Sequence, residues 1–313
     1  MDTELARTFL SVVSSGNFIN AAEHLNVTQS TVSVRIRALE EQLGCVLFVR
    51  NKAGTTLTPA GRLFQRHATM LVRAVEQARQ DVGVPRGFDA VLAIGGRIGL
   101  WDGFLLDWLP KIREKAPHVS VRAEIGFEND LMHGLVEGRL DIAVMYTPQR
   151  RPGLAVEPLF DERLILVSGG TERFCKLDHR YVYIDWGPEF YAKHAASFPD
   201  FAGPAVTTNV GWLGLRHILG SGGSGYFPAR LVRPYLESGQ LSRVPDAPEF
   251  ALSAYAVHRS DSDAGPMALA MGEIRTLAAV HASDDPVGPS ARRASPAAVK
   301  SKRRRSRKRT DRR

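Results

Sequence analysis

The chain is poor in cysteine. Cys45 and Cys175 are the only two in 313 residues, isolated from each other and from any histidine at metal-ligand spacing. That excludes a disulfide framework and a thiolate zinc site, and it fits inert thiols in a reducing compartment. Long apolar runs are also missing: nothing approaches the roughly 18 residues that a membrane helix needs. The opening MDTELARTFL carries acids where a secretory signal has basic residues, so a cytoplasmic location is expected, with no membrane partner. Enzyme signatures are lacking as well. There is no GxSxG and no HExxH, and Gly220–Gly225 is not followed by the Lys-Ser/Thr of a phosphate loop. With the nine histidines scattered, the expectation is a protein that is not an enzyme and holds neither cofactor nor metal.

What is present is ordinary globular material, 44% hydrophobic and 24% charged, long enough for two or three folded units. The net charge of +8 belongs to one end. Residues 292–313 hold twelve Lys/Arg against Asp311, a net +11, which leaves −3 for residues 1–291. Nucleic-acid binding therefore has to be argued from a motif. From about residue 283 onward Pro, Ser, Ala, Lys and Arg replace core formers, so 283–313 reads as a disordered basic tail. Such a tail would add affinity for any DNA sequence alike.

Three patterns precede the tail: short helices over 1–58, one long helix and hinge over 59–87, and alternating strands and helices over 88–282. The last region predicts an α/β unit with a mainly parallel sheet. Its strands are placed at Ala90–Gly95, Val119–Ile125, Asp141–Met145, Tyr181–Asp185, Ala205–Thr208 and Phe250–Val257.

The first segment is the informative one. Leu5, Phe9, Val12 and Val13 share one helical face; Gly16-Asn17 breaks that helix, and Ile19, Ala21, Ala22 and Leu25 form a second. Thr28 is a good cap for a third helix ending before Gly44. In it Val32, Ile36, Leu39 and Leu43 make a buried stripe. The opposite face carries Ser30, Val34 and Arg37, flanked by Thr31 and Ser33, with Gln29 near the start. Amide and hydroxyl groups on an exposed first turn suit base edges in a major groove, and a Val can touch a thymine methyl. A plain three-helix structural module is the competing reading.

The run AAEHLNVTQSTVSVRIRALEEQLGCVLFVRNKAGTTLTPAG resembles the N-terminal domain of the LysR-type transcriptional regulators. The resemblance rests on Phe18, Ala21-Ala22, Leu25, Thr28-Gln29-Ser30, Val32-Ser33, Ile36, Leu39-Glu40, Leu43-Gly44, Leu47-Phe48, Arg50, Leu57-Thr58 and Ala60-Gly61. GRLDIAVMY at 138–146, PLFDERLILV at 158–167 and GSGYFP at 223–228 extend it more loosely across the α/β region. It implies a winged helix-turn-helix, a long linker helix, and a two-lobed α/β effector domain like a periplasmic binding protein. It also implies a sequence-specific regulator whose operator binding or promoter activation responds to a small molecule between the lobes. Its partners would be operator DNA, the effector, RNA polymerase and further copies of itself, as a dimer or tetramer. Gln29, Ser30 and Ser33 match base-contacting positions, and Arg50 and Lys52 fall in the wing. Val34 stands where family members commonly carry a basic residue, so one hydrogen bond is in doubt. Arg35 and Arg37 read either as phosphate contacts or as solvated side chains.

On the long helix Phe64, Ala68, Leu71, Val75, Ala78 and Val82 are spaced 4, 3, 4, 3, 4, a heptad seam. It reads as a dimer seam or as packing on the chain's own effector domain; a two-fold dimer would double the operator contact. In the effector domain, lobe I is expected over 88–162 and 259–282 and lobe II over 163–258. Ligands of open α/β sheets bind beyond the strand C-termini. The residues there are Arg97, Ile98, Trp101, Tyr146 and Thr147 in lobe I, and Thr208, Asn209, Gly225 and Tyr226 in lobe II. Arg97 would grip an anionic group or lie on the surface, and Trp101 and Trp212 would line the cleft or fill the core. An enzyme and a solute-binding protein are the competing functions. The first lacks motifs, and the second lacks a signal and would not carry a DNA-reading module.

Overall fold

Side-chain oxygens start the first helices. Asp2 accepts from Glu4 N at 3.0 Å and opens α1 (Thr3–Ser15), while Asn17 accepts from Asn20 N and opens α2 (Phe18–His24). Thr28 accepts from Thr31 N at 3.2 Å and opens α3 (Gln29–Leu43), which Gly44 ends in the left-handed region at φ 65°. A short ribbon of β1 (Phe48–Asn51) and β2 (Gly54–Leu57) follows, and then α4 (Pro59–Val82), capped by Thr58. The computed structural model describes residues 2–51, 54–170, 177–260 and 265–284. Lys52, Cys175 and the basic tail from 285 lie outside the described residues.

The helical unit closes on Phe9, Phe18, Val32, Ile36, Leu39, Leu47 and Phe48, with Phe9 edge-on to Phe64 of α4 at 5.0 Å. Glu40 supports the ribbon from α3, accepting from Leu47 N at 2.7 Å and Phe48 N at 3.3 Å.

The first half of the seam expected on α4 is corrected here. Phe64 and Ala68 are buried in this same core against α1, with Val72 beside them, and Leu71 packs on it. Val75 is half-buried, and only Ala78 and Val82 of the stripe are exposed. A heptad stripe looks the same whether its cover comes from the same chain or another, and α1 supplies the cover. Two more apolar side chains are exposed beside that stripe, roughly a quarter turn round the helix: Leu63 at 69% and Met70 at 62%, with Ala74 in line.

From residue 90 the chain builds one curled sheet, ordered β10-β6-β11-β5-β3-β4, with β9 on the other edge of β6. At one end of it β5 (Ile142–Met145), β3 (Ala90–Gly96) and the edge strand β4 (Val119–Ile125) run parallel. The long β6 (Leu154–Gly169) and β11 (Phe250–Arg259) run antiparallel to each other, with a register shift between Ala254 and Tyr255. Beyond that shift β6 pairs with β9 (Gly223–Pro228) and β10 (Leu241–Arg243). A parallel pair, β7 (Val182–Ile184) and β8 (Val206–Thr208), completes the second lobe. The sheet is thus mixed, where a mainly parallel one is expected from the apolar runs; β6, β9 and β10 are its strands missing from that expectation.

Helices cover both faces. After β3 come the single turn α5 (Ile98–Leu100), an irregular turn at Trp101–Leu105, and α6 (Leu106–Lys115). Then follow α7 (Glu128–Glu137), α8 (Pro188–Ser197), α9 (Gly211–Ser221), α10 (Ala229–Glu237) and α11 (Pro266–Asp284). Arg275 of α11 and His258 of β11 both bond Glu157 of β6; the Arg275 hydrogen bond, then His258, holds the Glu157 carboxyl down at about 2. No helix among the described residues is long and apolar enough to cross a membrane.

The helical unit rests on α7. Ser14 Oγ meets His133 Nε2 at 2.5 Å, Arg7 lies 4.0 Å from Glu137, and Arg73 Nε donates to Val136 O at 3.0 Å.

Candidate functional site

Burial of Val32, Ile36 and Leu39 fixes which way α3 turns. Gln29, Ser30, Val34 and Arg37 face solvent, with Val34 60% exposed, and Ser33 and Thr31 are half-buried beside them. An open apolar side chain among amides and hydroxyls leaves that face able to donate, accept and make a methyl contact at once. Thr28 is exposed, but its hydroxyl is engaged within the cap, 2.7 Å from Ser30 Oγ and 2.9 Å from Thr31 Oγ1. Arg35 turns away from this face and binds Glu4 at 3.4 Å and Thr8 Oγ1 at 3.3 Å, so it ties α3 to α1. Arg50 sits in β1 in register with Thr55.

The second site lies where the lobes meet. Arg97 is only 7% exposed. Its guanidinium pairs with Glu128 at 3.3 Å, stands 4.6 Å from the Phe127 ring centre, and reaches Asn209 O at 3.4 Å across the cleft. Ile98 is half-buried beside it; Thr147 faces Gly187, where a Cβ would touch its Cγ2 at 3.5 Å. Tyr146 is buried and donates to Glu162 Oε1 at 3.3 Å. Burial, then the Glu162 charge, pushes its phenol well above the usual tyrosine range, so it remains a donor. Arg230 of α10 closes the other side, bonding Glu162 at 2.7 Å, Gly99 O at 2.8 Å and Asp102 O. Two arginines thus bridge the lobes, each held by a carboxylate.

Arg97, Ile98, Tyr146, Thr147 and Asn209 come together at this cleft. Thr208 adjoins them, but its hydroxyl accepts from Val210 N in a local turn. Three expected residues are corrected. Trp101 is buried and donates to Glu124 O at 2.9 Å, making it a wall of lobe I. Gly225 lies inside β9, where a Cβ would meet Ile218 and Phe227 at 3.0 Å. Tyr226 is fully buried among Phe190, His194 and Phe250 and donates to Pro248 O. The cause is common to the last two: β9 is an inner strand of lobe II, so its side chains pack and do not open to the cleft. Glu128, Phe127, Glu162 and Arg230 escape a sequence reading because each sits on an element remote in sequence from Arg97.

Residues 3–62 match the family described as bacterial regulatory helix-turn-helix protein, lysR family, and residues 86–171 match the LysR substrate binding domain. The HTH-type transcriptional regulator HdfR of Yersinia pestis (strain Pestoides F) is 32% identical over 274 residues, covering 84% of this chain and 92% of that protein. HdfR of Yersinia pseudotuberculosis serotype O:1b matches equally. Among solved structures, Vibrio fischeri DarR in complex with DNA aligns at TM-score 0.54 and 20% identity, over 88% of this chain and 99% of that one. A full-length OxyR variant from Pseudomonas aeruginosa aligns at 0.53 and 20%, over 89% and 94%. These two share the fold.

Proposed function

This chain belongs to the LysR family of DNA-binding transcriptional regulators, and from that premise we propose how its own residues divide the work. The helix-turn-helix over 1–58 reads operator DNA through Gln29, Ser30, Ser33 and Val34, with Arg37 and the wing residues Arg50 and Lys52 on the backbone. Residues 59–87 link it to an effector domain over 88–282, and the effector sits between lobe I (88–162, 259–282) and lobe II (163–258). The observation that carries the DNA assignment is the solvent-facing Gln29-Ser30-Val34 surface, held outward by the buried Val32, Ile36 and Leu39 on the other side. Arg97 supports an anionic effector, whose carboxylate or phosphate would take the place that Glu128 holds. RNA polymerase as a partner and a cytoplasmic location are part of the same reading.

A gel shift with the neighbouring intergenic DNA tests it. Gln29→Ala or Ser33→Ala should weaken specific binding by about 1–3 kcal/mol while the melting temperature holds. Wild-type operator affinity in both variants would remove α3 from base readout.

Self-association is assigned to the exposed Leu63-Met70-Ala74 line, since Phe64 and Ala68 face inward. Met70→Asp should dissociate the assembly in sedimentation, because an unpaired charge is costly in an apolar interface. The domain's own core does not include Met70, so its fold should persist. An unchanged sedimentation coefficient would shift assembly to the effector domains.

A further inference from the structure

Helix α7 touches the effector cleft with one end and the DNA-reading unit with the other. Its first residue, Glu128, pairs with Arg97 at 3.3 Å, and the Phe127 ring just before it lies 4.6 Å from the same guanidinium. Its last residue, Glu137, stands 4.0 Å from Arg7 of α1. Beside it His133 Nε2 meets Ser14 Oγ of α1, Val136 O accepts from Arg73 of α4, and the His24 ring of α2 lies 5.0 Å from that of His133. The ten residues span about 15 Å, with no proline to kink them.

The seat of α7 lets it move as one piece. Leu131, Met132 and Leu135 pack with Leu140, Met145 and Val257 in a small core that shares no residue with the main one. A shift of the helix therefore leaves the main core intact. Glu128 also has two favourable positions. Phe127 supplies no side-chain cap, which leaves the positive end of the helix to a carboxylate such as Glu128 itself. An anion seated on Arg97 would repel Glu128 from the first position and leave it the second.

We propose that α7 carries the signal from effector to operator: an anion that takes Arg97 from Glu128 shifts α7 on its seat, and the shift reaches the DNA-reading unit at Arg7, Ser14 and Arg73. This rests on the interlobe cleft being the effector site. The competing route runs through the 83–89 connection between α4 and β3, and it would bypass α7 altogether. The coupling is reciprocal, so operator binding would change the affinity of the cleft for its anion by the same factor.

Glu128→Gln keeps the shape of the side chain and removes its charge, so it stands in for an occupied cleft. In a gel shift of the full chain with the neighbouring intergenic DNA it should change operator affinity at least about 5-fold, the lower end of ordinary coupling between sites. Asp130→Asn removes the same charge from an exposed position in the same turn and should stay within about 2-fold of wild type. His133→Ala/Glu137→Gln cuts the far end of the helix, and in that background Glu128→Gln should lose its effect. Ser14→Ala replaces the pair if the pair fails to fold. Hydrogen exchange gives a second readout without DNA: Glu128→Gln should alter the protection of α1 around Ser14. The Gln29→Ala gel shift judges the operator assignment separately, and if wild type binds no operator, protection alone decides the coupling. Unchanged operator affinity, unchanged protection of α1, or an effect that survives the cut would overturn the proposal.

Discussion

Arg230→Met should cost the chain about 3–5 kcal/mol of stability, the usual penalty for stranding a buried charge. Glu162 is the buried charge that loses a partner: its side chain is 3% exposed, and Arg230, itself 13% exposed, pairs with it at 2.7 Å. The Tyr146 hydroxyl at 3.3 Å remains, but it supplies one neutral hydrogen bond. The same substitution frees Gly99 O and Asp102 O, which anchor the irregular turn after β3. Urea unfolding gives the measurement. Adding Glu162→Leu should restore much of the loss, because a matched apolar pair replaces a broken ionic one. The stranded carboxylate would have a raised pKa, so the deficit of the single variant should shrink as pH falls. A single variant within about 1 kcal/mol of wild type would mean that water or the other groups around Glu162 hold its charge without Arg230.

Gly61→Ala is the second large effect. An added Cβ would stand 2.2 Å from Leu47 O and 2.9 Å from Leu57 Cδ2. Neither neighbour can yield easily. Leu47 N is fixed by Glu40 at 2.7 Å, and Thr58 ties Val46 O at 2.8 Å to Gly61 N at 2.9 Å. The first turn of α4 must therefore move off the ribbon, at about 3 kcal/mol or more, the upper end of overpacking costs. Operator binding should fall in parallel, since the ribbon and α3 share one core. Gly272→Ala provides the contrast: nothing lies within 4 Å, so this α11 position should gain about 0.5–1 kcal/mol from helix propensity. Equal melting temperatures for the two variants would contradict the packing described.

These sites differ in how far the sequence revealed them. The cap at Thr28, the stop at Gly44 and the burial of Val32, Ile36 and Leu39 are local and sit as their spacing predicts, whereas Leu43, expected in the same stripe, is 38% exposed at the helix end. Strands β3, β4 and β5 were legible because their apolar runs are flanked by clear breaks. β6 was not, since Asp161, Glu162 and Arg163 interrupt it, and β9 was not, since GSGYFP reads as a turn. Position 97 stood out as a lone basic residue after a strand. Its partner Glu128 belongs to another helix, and only the pairing of β3 with β4 brings α7 alongside. Phe64 and Ala68 show the limit most plainly: the period of a stripe says that it is covered and does not say by whom.

The length of β6 has a mechanical consequence. Its 16 residues span roughly 50 Å and serve both lobes as one strand. A member shared in this way resists bending within its plane and yields more easily to twist, and the register shift at Ala254/Tyr255 in the neighbouring β11 marks where the ladder is softest. Any turn of one lobe against the other would be centred there, as between the two ends of a torsion bar. Such a rotation would carry α7 with it, and so His133 and Val136, the surface on which the DNA-reading unit rests.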